Sequence, residues 1–306
     1  MNTKLIKVMH TAGIVPIAAP PLDFGMPWND SLMPVGKEYL AAERAVYECA
    51  LAGCESIWVV CHVGIEPLVR KRLGDFIADP VSLTIGLNPS LKRRDISIYY
   101  IPIRPKDRDV RDCLSWSILY GADTAFRIAA TLSTWVIPQK YYCAFPYGIM
   151  PDNIVWKNRA KIGSTEKTIF CHNGKSVKDG LHMSFTFDVN DYKIARDIIK
   201  KRQIERGDFS KFKVARDYKL QEVFQHLKID KKHAIETPWF YDISNWESYK
   251  KYLGSKESSH IIKNNASFLK DKRPTFMKNY DIPKMTEINR NLSVTKPEVP
   301  ENLEIL

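Results

Sequence analysis

The chain has 306 residues, is 44% hydrophobic, and carries 46 lysine and arginine against 35 aspartate and glutamate side chains, a net charge of +11. A chain of this size buries a sizeable core as one large domain or as one domain with an appendage. No apolar run reaches bilayer length, which excludes a helical membrane span.

The opening "MNTKLIKVMHTAGIVPIAAPP" sets basic residues before an apolar run, as a secretory leader does. Pro16 interrupts the run and no convincing cleavage site follows, so we read a buried strand and expect a cytoplasmic protein. That first strand spans Ile14 to Ala19, and Pro16 sets it near an edge or a bulge. Pro20 to Gly36 is a loop rich in Pro, Gly, Asn and Asp, too long for a simple turn. From Glu38 onward, Leu40, Ala41, Ala45, Val46, Cys49, Ala50 and Leu51 share one helical stripe, which Gly53 stops. "SIWVVCHV" is a continuous apolar strand of the buried parallel kind, and Pro67 to Phe76 is helical.

"ISIYYIPI" is the third strand, Asp112 to Thr134 a helix with a break expected near Gly121, and "KYYCAFPYG" the fourth strand. This alternation predicts an α/β fold with a mixed, mainly parallel sheet and helices on both faces. After Pro151 the pattern loosens. "GLHMSFTFDV" and "HAIETPWFYDI" read as strands; Tyr192 to Arg202, Leu220 to Leu227 and Asn245 to Leu253 read as helices. We divide the chain into an α/β domain over 1–254 and a polar, basic C-terminal tail over 255–306, extended over the surface and suited to docking a protein partner.

The six cysteines sit mostly in apolar segments without CxxC spacing, as reduced buried thiols do. Cys61-His62 and Cys171-His172 are not ligand pairs, because adjacent strand residues face opposite ways. Part of the basic excess lies in Asp191 to Lys219, as a solvated helix face or a contact for phosphate-rich ligands. Nucleic-acid binding through it is expected to be weak and salt-labile.

Four pieces in order, "VPIAAP", "SLMPVGKEYLAAERAVYECALAGCESIWVVC", "DYKLQEVFQHLKI" and "TPWFYDISNWESYKKYL", resemble the sugar nucleotidyltransferases, or NDP-sugar pyrophosphorylases, over about Ile14 to Leu253. The resemblance implies a Rossmann-like, GT-A-like nucleotidyltransferase fold, a nucleotide or nucleotide-sugar ligand, and Mg²⁺ if the reaction runs. In that family a sugar 1-phosphate oxygen attacks the α-phosphorus of a nucleoside triphosphate and pyrophosphate leaves. Two anions meet, so cations, backbone N–H groups and Mg²⁺ gather at the carboxyl ends of the strands.

Carried over residue by residue, Ala18 and Ala19 match alanines whose backbone faces the base, with Trp28 and Asn29 as further nucleotide-binding candidates. The next family glycine is Pro20, which has no N–H and cannot adopt positive φ. The Gly-x-Gly-Thr-Arg loop aligns with Pro20 to Phe24, which lacks both its glycines and its arginine. The lysine before Leu-x-Pro-Val falls on Asp30, and the metal-binding Gly-Asp falls on "FPYG"; of the metal pair only Asp242 has a match. A relocated site would draw charge from Lys37, Lys106, Arg108 and Arg111 and hold its metal on Asp242 and Asp30, with Asp23 nearby. Without it, the fold serves as a binding or assembly module, a pseudoenzyme. A nucleotide-sugar-dependent glycosyltransferase is a third reading, for which "FDVND" is a distant metal motif.

Overall fold

A computed structural model of the chain describes residues 9–18, 29–81, 94–103, 113–204 and 218–263. In chain order its strands are β1 (Thr11–Pro16), β2 (Pro34–Gly36), β3 (Tyr39–Leu40), β4 (Ser56–His62), β5 (Phe76–Ala78) and β6 (Asp95–Ile103). Then follow β7 (Lys140–Cys143), β8 (Gly148–Ile149), β9 (Ile169–Cys171), β10 (Phe185–Asp188), β11 (Ala234–Glu236) and β12 (Tyr241–Asp242). The helices are α1 (Ala41–Ala52), α2 (Glu66–Leu73), α3 (Leu114–Leu132), α4 (Asp152–Lys157), α5 (Arg159–Ile162), α6 (Val189–Ile204), α7 (Leu220–Phe224) and α8 (Trp246–Leu253).

Eight strands make the central sheet, in the order β11-β9-β10-β7-β1-β4-β6-β5. Strands β7, β1, β4 and β6 run parallel; β10 and β5 run against their neighbours, and β9 and β11 are parallel to each other. The sheet is therefore mixed and mainly parallel. Alternation along each strand divides the core between its faces. Ile14, Val60, Tyr141 and Phe187 meet α3, α6 and α7 on one face. Val15, Val59, Cys61 and Tyr142 meet α1, α2, α4 and α5 on the other. Strands buried on both faces read as continuous apolar runs, as β4 does.

Several expected boundaries move for physical reasons. β1 is the central strand, not an edge strand; Pro16 is its last residue, and the two donors that follow, Ile17 N–H and Ala18 N–H, both reach Val60 O at 2.9 and 2.8 Å. α3 runs unbroken through Gly121, whose missing side chain lets the helix approach the sheet: a Cβ there would stand 2.9 Å from Val60 Cγ2 and 3.0 Å from Ile14 Cγ2. Gly74 ends α2, so Phe76 starts a short edge strand instead of closing a helix. Pro146 ends pairing beyond β7, and the segment expected as one strand near the C-terminus divides at Pro238 into β11 and β12. The hairpin β2–β3, strand β9 and helices α4 and α5 are additional to the sequence reading.

Residues 255–263 do not leave the domain. Ile261 is buried with Val35, Tyr39 and Tyr252 in a third cluster, and Lys263 Nζ pairs with Glu43 at 2.7 Å. The rest of the expected tail lies outside the described residues. No helix among the described residues is long and apolar enough to cross a membrane.

β8 pairs with β12, Gly148 opposite Asp242, and packs directly beneath the backbone of His182. A Cβ on Gly148 would lie 1.7 Å from His182 O, a collision with main chain that no rotamer relieves. Gly148→Ala is therefore expected to lower stability by about 1–3 kcal/mol or more, read as a reduced urea midpoint. An unchanged midpoint would contradict this packing.

Candidate functional site

From β1 the chain goes to β4 and then β6 on one side, while β7 lies on the other. The strand order thus reverses between β1 and β7. A reversal of this kind opens a crevice outside the carboxyl ends of the two strands, where open α/β sheets bind ligands.

Side chains fix both walls of that crevice. The carbonyl of buried Ala18 accepts the Ser117 hydroxyl of α3 at 2.6 Å. Asn29 ties the returning chain to the end of β1: its Nδ2 donates to Ile17 O at 3.3 Å, while its Oδ1 accepts the Ser31 N–H at 3.0 Å and the Ser31 hydroxyl. Asp30 follows in a 3₁₀ turn, 2% exposed. Burial pushes the Tyr147 phenol upward, and the nearby Asp30 carboxylate adds to the shift.

The β7 wall rests on a buried ion pair within α1, every residue of which is buried. Arg44 Nη1 donates to Glu48 Oε2 at 2.6 Å, and Arg44 Nη2 donates to Phe145 O at 2.7 Å. Glu48 Oε1 accepts Tyr142 OH at 2.7 Å and also the Ser184 hydroxyl. One helix thereby holds β7, the turn beyond it and the entry to β10. Asp152 of α4 adds a second carboxyl near Arg44; its Oδ1 is buried with no partner among the described residues. Burial raises its pKa to about 7, Arg44 opposes the rise, and Glu48, which already holds the cation, adds to it.

At the same carboxyl edge, past the end of β7 on the approach to β10, stands an imidazole–carboxylate pair. His182 Nδ1 lies 2.9 Å from Asp242 Oδ2 and 3.0 Å from Oδ1. The His182 and Ser244 backbone N–H groups also donate to Asp242, at 3.2 and 3.1 Å. Burial alone would raise the Asp242 pKa, but the bonds from His182 and Ser244 hold it below its ordinary value. The imidazole is wedged edge-on against Phe145 and Tyr147, with ring centroids 5.5 and 5.7 Å away.

Mg²⁺ asks for an octahedron of oxygens, several of them water, around one or two free carboxylates. Both Asp242 oxygens already accept hydrogen bonds, and no group of three or more His, Cys, Asp or Glu among the described residues is placed to hold a metal. Among the described residues, these side chains by themselves do not build an all-protein Mg²⁺ site.

Of the residues singled out in the sequence, Ala18, Asn29, Asp30 and Asp242 come to this carboxyl edge, linked through Phe145, Tyr147 and His182. Lys37 is exposed in the turn of the β2–β3 hairpin, which packs on α8 through Tyr249 OH to Pro34 O at 2.7 Å. Ala19, Trp28, Lys106, Arg108 and Arg111 lie outside the described residues, as do Pro20 to Phe24. "FDVND" is at the opposite edge, because β10 runs antiparallel: there Asp188 and Asp191 receive Lys167 Nζ at 3.5 and 2.9 Å. Cys171 is the one cysteine not fully buried; burial and Glu236, whose carboxylate accepts the thiol at 3.0 Å, push its pKa up to about 12, so it stays a thiol.

His182, Arg44 and Glu48 carry this site, and the sequence reading passed over them. An Arg-Glu pair at i, i+4 reads as a solvated helix face, and nothing local marks a histidine whose partner lies 60 residues on.

Two cavities lie away from the crevice. One of about 540 Å³ opens at the amino edge of the sheet, lined by Ala52, Glu55, Arg94, Arg159 and Ala160. The other, about 260 Å³, lies between α4 and residues 257–261, lined by Asp152, Asn153, Trp239 and His260.

No protein-family model and no curated protein matches the chain. Among solved structures it is similar to a protein assigned as a glucose-1-phosphate thymidylyltransferase from Bacillus anthracis, at 10% identity and TM-score 0.49, over 90% of this chain and 99% of that one. It is similar to a UTP-bound UGPase from Acinetobacter baumannii at 11% identity and TM-score 0.49, over 80% and 92% of the two chains. A 4-diphosphocytidyl-2C-methyl-D-erythritol synthase from Anaerococcus prevotii overlaps at 12% identity and TM-score 0.46, over 80% and 94%. These are likenesses of shape.

The buried cluster yields a stability test. An unfolded carboxyl titrates at about 4, whereas folded Asp152 keeps its proton up to about pH 7. Between those values the folded state binds the extra proton, so this group makes stability fall as pH rises, with no further change above about pH 7. Asp152→Asn should remove that slope: in urea unfolding, the variant gains on the wild type from pH 5 to pH 8. A constant difference across that range would show Asp152 to be ionised.

Proposed function

We propose that this protein binds a nucleotide or nucleotide-sugar in the crevice between β1 and β7, as a nucleotidyltransferase-like protein that makes NDP-sugar very slowly or not at all. The observation that carries the reading is the reversal of strand order, with both walls of the resulting crevice locked by buried side chains. Slow or absent catalysis follows from the residues at the phosphate positions. Pro20 has no N–H to offer, and a buried carboxyl, Asp30, stands where the resemblance calls for a lysine. Losing one preorganised donor typically slows such reactions by ~10²- to 10³-fold, although losses at one site do not multiply. The cysteines among the described residues form no disulfide, which suits a reducing compartment such as the cytoplasm.

Thermal unfolding with UTP, UDP-glucose and glucose 1-phosphate, beside an assay for pyrophosphate release, tests both halves. A nucleotide ligand at a hundred times its Kd should add roughly 2.7 kcal/mol of stability, without measurable turnover. Turnover of about one per second or more would contradict the catalytic half. Indifference to every nucleotide would contradict the binding half.

A further inference from the structure

We infer that His182 is the ligand-reading group of the crevice: Asp242 orients it so that its Nε2 accepts a hydrogen bond from a ribose or hexose hydroxyl, with no metal taking part. The inference deepens the proposed function and rests on it.

A neutral imidazole has one donor and one acceptor nitrogen. A carboxylate beside Nδ1 holds the proton there, which leaves the lone pair on Nε2, as carboxylate–histidine pairs do elsewhere. Asp242 makes that contact with both oxygens, at 2.9 and 3.0 Å. Among the described residues no group is hydrogen-bonded to Nε2, and 13% of the side chain stays exposed at the carboxyl edge.

The ring cannot turn away. Phe145 and Tyr147 meet it edge-on at interplanar angles of 71° and 73°, and the His182 backbone is seated on Gly148. The acceptor is therefore set before a ligand arrives, which spares the ordering entropy a mobile side chain would lose.

The charges around it select the ligand group. The ionisable groups facing His182 are Asp242 on β12 and the Tyr147 phenol, with Asp30 beyond Tyr147. An acceptor nitrogen backed by carboxylates repels a phosphate, which has only acceptors to offer, and receives a hydroxyl. The phosphates of a nucleotide-sugar would then lie away from His182 and a sugar hydroxyl against it.

The probes are Mn²⁺ alone, UDP and UDP-glucose. In the full-length protein, Mn²⁺ should leave the His182 imidazole resonances unbroadened. UDP-glucose should bind with the same Kd, within about twofold, in Mg²⁺ or in EDTA. His182→Phe keeps a ring between Phe145 and Tyr147 but removes the acceptor, so it should weaken UDP-glucose about tenfold. Circular dichroism of this variant should match the wild type, with a urea midpoint lowered by loss of the bond to Asp242. If it does not fold, His182→Gln, which retains an acceptor, should show a smaller loss. Saturable Mn²⁺ broadening that Asp242→Asn abolishes would overturn the inference, as would UDP-glucose binding indifferent to His182→Phe. Failure of both UDP and UDP-glucose to bind the wild type would overturn the proposed function and this assignment with it.

Discussion

The buried pair of Arg44 and Glu48 is the interaction on which the site depends. Removing two charges from water costs several kcal/mol per ion, and mutual attraction offsets this only when the remaining donors and acceptors are also used. Here Glu48 also accepts from Tyr142 and Ser184 and Arg44 also donates to Phe145 O, while Arg44 Nε has no hydrogen-bond partner among the described residues. An apolar pair of the same volume could stabilise α1 equally well. It could not reach the Phe145 carbonyl, where β7 ends and the chain turns toward β8, nor bridge to Ser184 ahead of β10. The pair specifies geometry, and that geometry is the far wall of the crevice.

The same cluster explains the condition of Asp152. One guanidinium faces two carboxyls in a dry interior, and Glu48 makes the direct contact. The second carboxyl then does best as a neutral acid, which is why its pKa rises. Asp242 shows the opposite balance with a similar degree of enclosure, because three N–H groups converge on it and favour the charged form. Two half-buried aspartates thus differ in charge state, because N–H groups converge on Asp242 and not on Asp152.

Much of the sheet was legible. The apolar runs of β4 and β6, the stripe of α1 and its glycine stop gave strands and helix in the right order, because a strand buried on both faces admits little else. Pro16 misled by suggesting an edge, since the end of a central strand tolerates proline equally well. Gly121 misled by suggesting a break, since a close helix–sheet approach asks for the same residue. For the site, Asp242 and Ala18 stood out through motif order. His182 did not, because its meaning lies in a contact with a distant strand and in the antiparallel direction of β10, neither of which has a local signature. The antiparallel direction also places "FDVND" at the wrong edge for a ligand in this crevice.

The central claim is that ligands enter at the carboxyl edge between β1 and β7. Alanine methyl groups mark the two ends of the sheet: Ala18 and Ala144 at that edge, Ala52 and Ala160 in the cavity at the amino edge. Methyl-resolved NMR of alanine-labelled protein during a UDP-glucose titration tests the claim directly. The account predicts saturable shifts at Ala18 and Ala144 with Ala52 and Ala160 unmoved; shifts confined to Ala52 and Ala160 would contradict it.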